Sequence, residues 1–395
     1  MAKNKILIWN TFELLERQGG PSTYLYNLRK SVKENGIDTV DFLDDYKLEI
    51  EEKSAIKRFI NKRIKPIFTV NPKLRIKKNI LSFLFNQAEE LPENLDINNY
   101  THIHFHTTFD FYKKSEVLKD FQGKILLTSH SPKAMHKEVF EDWLNGVEIE
   151  GVEKESVEKI DSFAFSNADY VIFPCKEAQE PYFNSWEDYK NIKFKNEVKE
   201  LLTCCIDSKI KLPKKEVFSE YNIPKEAFVI TYFGRHNEVK GYDVLKELGE
   251  KILPKYDNVY FLIAGKEEPL AGLKHERWIE VGWTQDPHSL VSASDLYILP
   301  NKETYFDLAL LEVLSIGTTC LLSETGGNKF FKRLPEEETK GVLFFNQKNI
   351  NDLENKFEHI YKNKFSKEFN KGLFKKYFSN INFAPNYLNL IEGLK

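Results

Sequence analysis

A chain of 395 residues and 46.4 kDa exceeds what one hydrophobic core holds and suits two domains. Hydrophobic residues at 41% and aromatics at 14% supply enough apolar surface for real cores, which excludes wholesale disorder. With 57 Lys and Arg against 60 Asp and Glu, the formal charge of −3 provides no global attraction for nucleic acid or another acidic polymer, so no nucleic-acid partner is expected.

The opening MAKNKILIWNTFE has an apolar run only at residues 6–9, too short for a secretory signal core, and no run of about 18 apolar residues occurs. Four cysteines, Cys175, Cys204, Cys205 and Cys320, make no disulfide framework and suit a reducing compartment. The expected location is cytoplasmic.

In chain order, short apolar runs at 6–9, 39–43, 103–105, 125–128 and 170–173 are each followed by a helical pattern. That alternation predicts parallel strands joined by crossover helices. Tyr24, Leu28 and Val32 recur every fourth residue between Pro21 and Gly36, so an amphipathic helix is predicted over 21–35. A polar stretch at 207–225, holding Pro213 and Pro224, reads as the linker. Beyond it a second series of strands is predicted at 228–233, 259–264, 278–281, 296–299, 319–322 and 342–345, and the tail from 351 is helical in pattern. The fold class is therefore α/β: two Rossmann-like domains, 1–205 and 206–380, facing across a cleft, with 381–395 a helix returning to the first.

In open parallel sheets ligands sit beyond the carboxyl ends of the strands. Four places there carry suitable residues. Gly19 and Gly20 separate the first strand from its helix, where a bare backbone either meets an anion or simply turns. Phe233-Gly234-Arg235-His236-Asn237-Glu238-Val239-Lys240-Gly241 follows a predicted strand and sets Arg235 and Lys240 beside its end. Two cations so placed can hold a diphosphate and stabilise the charge growing on it as it leaves; ordinary surface charges are the competing reading. Glu312 lies in the apolar helical pattern of residues 308–314 and must have a partner or face a cleft, because an unpaired buried carboxylate is costly. It suits the two hydroxyls of a ribose, with a solvent-facing Glu as the alternative. Finally, Ser323-Glu324-Thr325-Gly326-Gly327-Asn328-Lys329 offers the backbone of Gly326 and Gly327, with Asn328 beside them, to a phosphate or sugar.

The run from Gly234-Arg235 to Lys240-Gly241 resembles the G-R-x4-K-G signature of the GT-B glycosyltransferases of family 4. Val281-Gly282-Trp283 through Ser294-Asp295-Leu296-Tyr297-Ile298-Leu299-Pro300 is similar to that family's next segment. Thr304 through Glu312, with Gly317 and Gly326-Gly327, resembles its E-x7-E block and the glycine turn after it. In the first domain the likeness rests on Gly19-Gly20, on His104 and His106, and on Ser129-His130-Ser131-Pro132, where the family has a strand-terminal histidine. The resemblance implies a GT-B fold and a bacterial retaining transferase of hexosyltransferase type. It would use a UDP- or GDP-linked sugar, without a metal or other cofactor, on a glycan, lipid-linked or protein-linked acceptor of the cell surface. Arg235 and Lys240 would hold the diphosphate, Glu312 the ribose, Gly326 and Gly327 the donor phosphates or sugar, and His130 the transferred sugar near its reacting carbon. No D-x-D occurs, the pair of acids with which a metal-dependent transferase would bind its cation.

One departure stands out. Eight residues before Glu312 is Thr304, where the family has its first Glu, while Glu303 stands one residue earlier. Either the Thr304 hydroxyl serves the sugar or a local shift brings Glu303 in. Two other functions fit the same design: a non-catalytic transferase-like binding or chaperone subunit, and a nucleotide-sugar epimerase. His102, His104 and His106 alternate along one strand face, but adjacent same-face residues close poorly on one ion. Packed or cleft-lining histidines are expected instead of zinc, and Cys204 and Cys205 read as small buried groups.

Between Lys53 and Lys78 stand ten basic residues and no acidic one, interleaved with Ile56, Phe59, Ile60, Ile64, Ile67 and Phe68. Such a segment suits an anionic membrane surface, where each charge contributes about 1 kcal/mol, or equally a solvated face or a groove for an acidic acceptor. The membrane reading predicts co-sedimentation with anionic liposomes that high salt abolishes; binding indifferent to both lipid charge and salt contradicts it.

Overall fold

β1 (Ile6–Trp9) is buried at all four residues, as befits a parallel strand with helices over both faces. Around it, in chain order, come α1 (Gly20–Glu34), β2 (Val40–Phe42), α2 (Pro72–Phe85), β3 (His102–Phe105), α3 (Thr108–Lys114), β4 (Lys124–Leu127), α4 (Gly151–Asn167), β5 (Tyr170–Phe173) and β6 (Lys199–Glu200). The computed structural model describes residues 4–16, 20–46, 72–85, 91–92, 94–144 and 146–394; Gly19 and positions 53–71 of the basic run lie outside them. The chain divides into two units. Unit 1 holds Met1–Phe173, Tyr182–Leu201 and Ala384–Lys395, and unit 2 holds Pro174–Pro181 and Leu202–Phe383.

The sheet of unit 1 is parallel with strand order β2-β1-β3-β4-β5-β6, so the chain reverses its direction of travel between β1 and β3. The predicted helix over 21–35 is α1, which buries Tyr24, Leu25, Leu28 and Val32 as its four-residue spacing requires. The described end of the basic run opens α2, whose Ile80, Leu81 and Phe85 pack on Phe109, Val139 and Leu144. The apolar face of α2 is thus used within the unit. A buried carboxylate, Asp161, braces this side by accepting from Thr108 Oγ1 at 2.6 Å and from the backbone N and Nδ1 of His136 at 2.8 and 2.7 Å.

Unit 2 adds β7 (Phe228–Phe233), α5 (Tyr242–Ile252), β8 (Val259–Ala264), β9 (Trp278–Gly282), α6 (Pro287–Ala293), β10 (Leu296–Leu299), α7 (Leu308–Ile316), β11 (Thr319–Ser323), β12 (Val342–Phe345) and α8 (Ile350–Lys362). Its parallel sheet runs β12-β11-β10-β7-β8-β9, with the reversal between β7 and β10. The carboxyl ends of those two strands flank the crevice where such sheets receive ligands. One face of the sheet packs Tyr242, Leu245, Leu248 and Ile252 of α5 and Leu353 and Phe357 of α8 against Ile230, Phe261 and Ile298.

Gly241 shows how tightly the β7–α5 turn is built. Its φ is +67° and a side chain there would overlap the carbonyl of Pro300, just past β10. Gly36 has a similar φ of +60° with open space around it. Gly36→Ala therefore measures the dihedral penalty alone, about 1 kcal/mol in urea unfolding, while Gly241→Ala loses at least about 1–3 kcal/mol more because backbone must move. Equal losses at the two positions contradict this packing.

Candidate active site

The turn after β7 is anchored by contacts that do not involve its charges. His236 is buried and stacks on Tyr242 with ring centres 4.0 Å apart, and Tyr232 donates its hydroxyl to the Arg235 carbonyl at 2.8 Å. Lys240 N donates to Asn237 Oδ1 at 2.9 Å. Arg235 is left exposed, with no ion-pair partner among the described residues. Lys240 is different: its Nζ donates to Asp307 Oδ2 at 2.6 Å. The same oxygen accepts from Asn301 Nδ2 at 3.1 Å, and Oδ1 accepts from Ala309 N at 3.1 Å, capping α7. Burial would raise the Asp307 carboxyl, but the Lys240 charge and these donors outweigh it and hold it below the ordinary carboxylate range.

Glu312 projects from the second turn of α7 and has a partner. Its Oε2 lies 3.2 Å from Nε2 of His288 on α6, while His288 Nδ1 is buried without a partner among the described residues. The Glu312 carboxylate retains partial exposure, 23% of its side chain, so one oxygen is held and the group stays reachable.

Thr304 is buried, and its carbonyl accepts from Gly327 N at 3.2 Å; Glu303 is half-buried. Side chains on Gly326 or Gly327 would overlap the carbonyls of Thr304 and Tyr305, so backbone contact alone already requires this glycine pair. Gly326 N donates to Glu180 Oε1 at 3.2 Å, and Lys329 Nζ is bonded to Glu180 Oε2. Asn328 directs its amide into the fold, to the Ser323 carbonyl at 3.0 Å. The amides of Gly326 and Gly327 and the side chain of Asn328, read from sequence as ligand groups, thus all have partners within unit 2.

In unit 1 the histidines gather at the β1–β3 reversal. His104 Nδ1 meets Tyr387 Oη and its Nε2 meets Thr128 Oγ1, both at 2.9 Å. His106 Nδ1 lies 2.8 Å from His130 Nε2, and the His130 ring packs edge-on to Tyr24 with centres 4.6 Å apart. His102 Nδ1 lies 2.8 Å from Thr101 Oγ1. Each ring has its own partner, and among the described residues no group of three His, Cys, Asp or Glu is arranged to hold a metal. Gly20 opens α1 with nothing near its Cβ position. The four cysteines are free and buried, and burial pushes the Cys204 thiol up to about 12, which leaves it unreactive.

Residues 227–363 match the family model described as glycosyl transferases group 1. Among curated proteins, an Escherichia coli UDP-Gal:alpha-D-GlcNAc-diphosphoundecaprenol alpha-1,3-galactosyltransferase is 28% identical over 144 residues, 33% of this chain and 35% of that protein. The O-antigen biosynthesis glycosyltransferase WclY of Escherichia coli is 24% identical over 185 residues, 44% of this chain and 49% of that one. The chain therefore spans between a third and a half of the length of these relatives. Among solved structures, sucrose-phosphate synthase from Thermosynechococcus elongatus aligns over 99% of both chains with a TM-score of 0.62 and 16% identity. Anabaena HepE, solved with UDP, aligns over 99% of this chain and 100% of its own with a TM-score of 0.60 and 13% identity. The chain carries a group 1 glycosyltransferase domain. Its fold is GT-B.

In this glycosyltransferase domain the structure brings Lys240 next to the helix that bears Glu312, through Asp307. It brings Gly326 and Gly327 against residues 304–305. His130 belongs to unit 1, with His106 as its partner. Asp307, His288, Asn301 and Glu180 escaped the sequence reading. Asp307 stood in plain view between Thr304 and Glu312, and its position just before an apolar helix was an N-cap signal; the other three carry no local mark.

Burial lowers His102 to about 4 and both His104 and His130 to about 3, and places His106 well below its ordinary value. Unfolded histidine titrates near 6.5, so in mild acid the unfolded state binds more protons. The stabilisation is complete above about pH 6.5 and is lost as pH falls, at up to about 1.4 kcal/mol per pH unit for each uncoupled ring. Urea midpoints should drop between pH 7 and pH 5, and His104→Gln should reduce that slope; a flat profile contradicts the burial of neutral rings.

Proposed function

We propose that this chain moves a sugar from a UDP- or GDP-linked donor to a glycan, lipid-linked or protein-linked acceptor in bacterial surface glycan synthesis. The observation that carries the reading is the position of Arg235 and Lys240: within the segment matching the group 1 family, at the carboxyl end of β7, beside the strand-order reversal. Arg235 and Lys240 receive the diphosphate in place of a metal ion, Glu312 takes the ribose hydroxyls, and the 326–327 turn lies by the donor phosphates or sugar. His130, a neutral imidazole, is assigned to the transferred sugar. Unit 2 is read as the donor-binding domain and unit 1 as the acceptor-binding one. A lipid-linked acceptor is supported by the acceptor in the name of the galactosyltransferase relative, a diphosphoundecaprenol. Among the described residues no helix is long and apolar enough to cross a membrane. Use of such an acceptor would need peripheral attachment to the inner face of the membrane, and the basic run at 53–78 is the candidate.

The step is read as retaining. The bond from the anomeric carbon to the phosphate oxygen breaks with its electron pair going to the phosphate, whose charge Arg235 and Lys240 stabilise. The acceptor oxygen bonds to that carbon on the same face, and its proton passes to the departing phosphate.

A specific feature favours one competing reading, the non-catalytic binding subunit: Asp307 already neutralises Lys240. Incubating the purified chain with a panel of UDP- and GDP-sugars separates the two. The enzyme reading expects release of nucleotide from at least one donor, reduced about 100-fold or more in Arg235→Ala and Lys240→Ala if each contributes a normal electrostatic share. NMR of the product should show the donor's anomeric configuration. No turnover of any donor, despite binding, supports the subunit; an inverted anomeric centre removes the mechanism.

A further inference from the structure

Two of the donors expected to receive a diphosphate in unit 2, Lys240 and the Gly326 amide, already hold carboxylates of this chain. At the β7–β10 reversal, Lys240, Asn301 and the first turn of α7 all donate to Asp307. The Asn301 amide is turned so that its N–H₂ meets Asp307, while its own Oδ1 stays buried without a donor among the described residues. At the second glycine turn Glu180 repeats the arrangement, taking Gly326 N and Lys329 Nζ. In each place an acid sits on a lysine and a backbone amide, the partners a phosphate would use.

Capping alone does not explain Asp307. The cap uses Oδ1, whereas Oδ2 faces Lys240 and Asn301, and Asn caps a helix as well as Asp does. Its charge is needed only for something cationic. An ammonium has three N–H groups, so Lys240 can still donate to a phosphate oxygen, but that oxygen must then lie within a few ångströms of the Asp307 carboxylate. Like charges at such separations change an affinity by between about fivefold and several hundredfold, depending on how far water screens them.

We propose that Asp307 is a resident anion of the donor site: the nucleotide diphosphate competes with it for Lys240, so this carboxylate sets how weakly the nucleotide is held and eases product release. The inference rests on the donor-binding reading above, deepens it, and makes Asp307 a determinant of nucleotide affinity.

Isothermal titration of UDP, and in parallel GDP, into the full chain and its Asp307→Asn and Lys240→Ala variants tests it. Asp307→Asn keeps a cap of equal quality, and its folding is checked by thermal melting. The expected result is binding about tenfold or more tighter in Asp307→Asn and weaker in Lys240→Ala. Unchanged or weaker binding in Asp307→Asn, with loss in Lys240→Ala, overturns this inference and leaves the donor reading standing. Tightening in Asp307→Asn without any loss in Lys240→Ala also overturns it, because the competition would not be for that lysine. No binding by any of the three proteins overturns the inference and the donor reading together.

Discussion

A largely buried carboxylate must be answered by a cation, and in unit 2 the contact between Lys240 and Asp307 organises much of what surrounds it. The lysine lies on the turn leaving β7 and the aspartate on the segment leaving β10, so the pair ties together the two strands between which the chain reverses. Gly241 lets the first turn lie against Pro300, and Asp307 in turn caps the helix that presents Glu312. His288 then holds one oxygen of that glutamate. Charge neutralisation, helix capping and the aim of Glu312 are consequently one connected structure, and a ligand that disturbs the first disturbs the others.

Unit 1 solves a different problem with histidine. Burying an imidazole is tolerable only if it stays neutral and keeps partners for its nitrogens. His104 does so with Thr128 on one side and Tyr387 on the other, and His106 and His130 bond to each other. A neutral His130 is a hydrogen-bonding group and not a counter-ion, which suits the place beside an uncharged sugar that we propose for it. The bond between His106 and His130 links their tautomers: whichever ring donates fixes which nitrogen of the other carries a proton.

The likeness to group 1 glycosyltransferases was legible because the features that carry it are local. Gly234-Arg235 to Lys240-Gly241 needs a strand end, a left-handed glycine and a helix start, all within a few residues of one another. The partners were not legible for the converse reason. Asp307 is 67 residues from Lys240, Glu180 is 146 from Gly326, and Tyr387 is 283 from His104. The glycine pair at 326–327 shows how a correct element can be read for only part of its work. Its position after β11 was plain, but the carbonyls of Thr304 and Tyr305 that demand it lie on another loop.

By itself the amino-acid order determined where the strands lie, that they alternate with helices, and that two such series occur, because burial on both faces of a parallel strand leaves an uninterrupted apolar run that needs no knowledge of neighbours. It also determined which loops carry glycine and cation at strand ends. Only the tertiary structure decided that segment 174–181 joins unit 2. It alone decided which charges are free and which are already matched, leaving Arg235 open and Lys240 held. The reason is physical: an ion pair is chosen by distance in space, and the strand order that sets that distance is a property of the folded sheet.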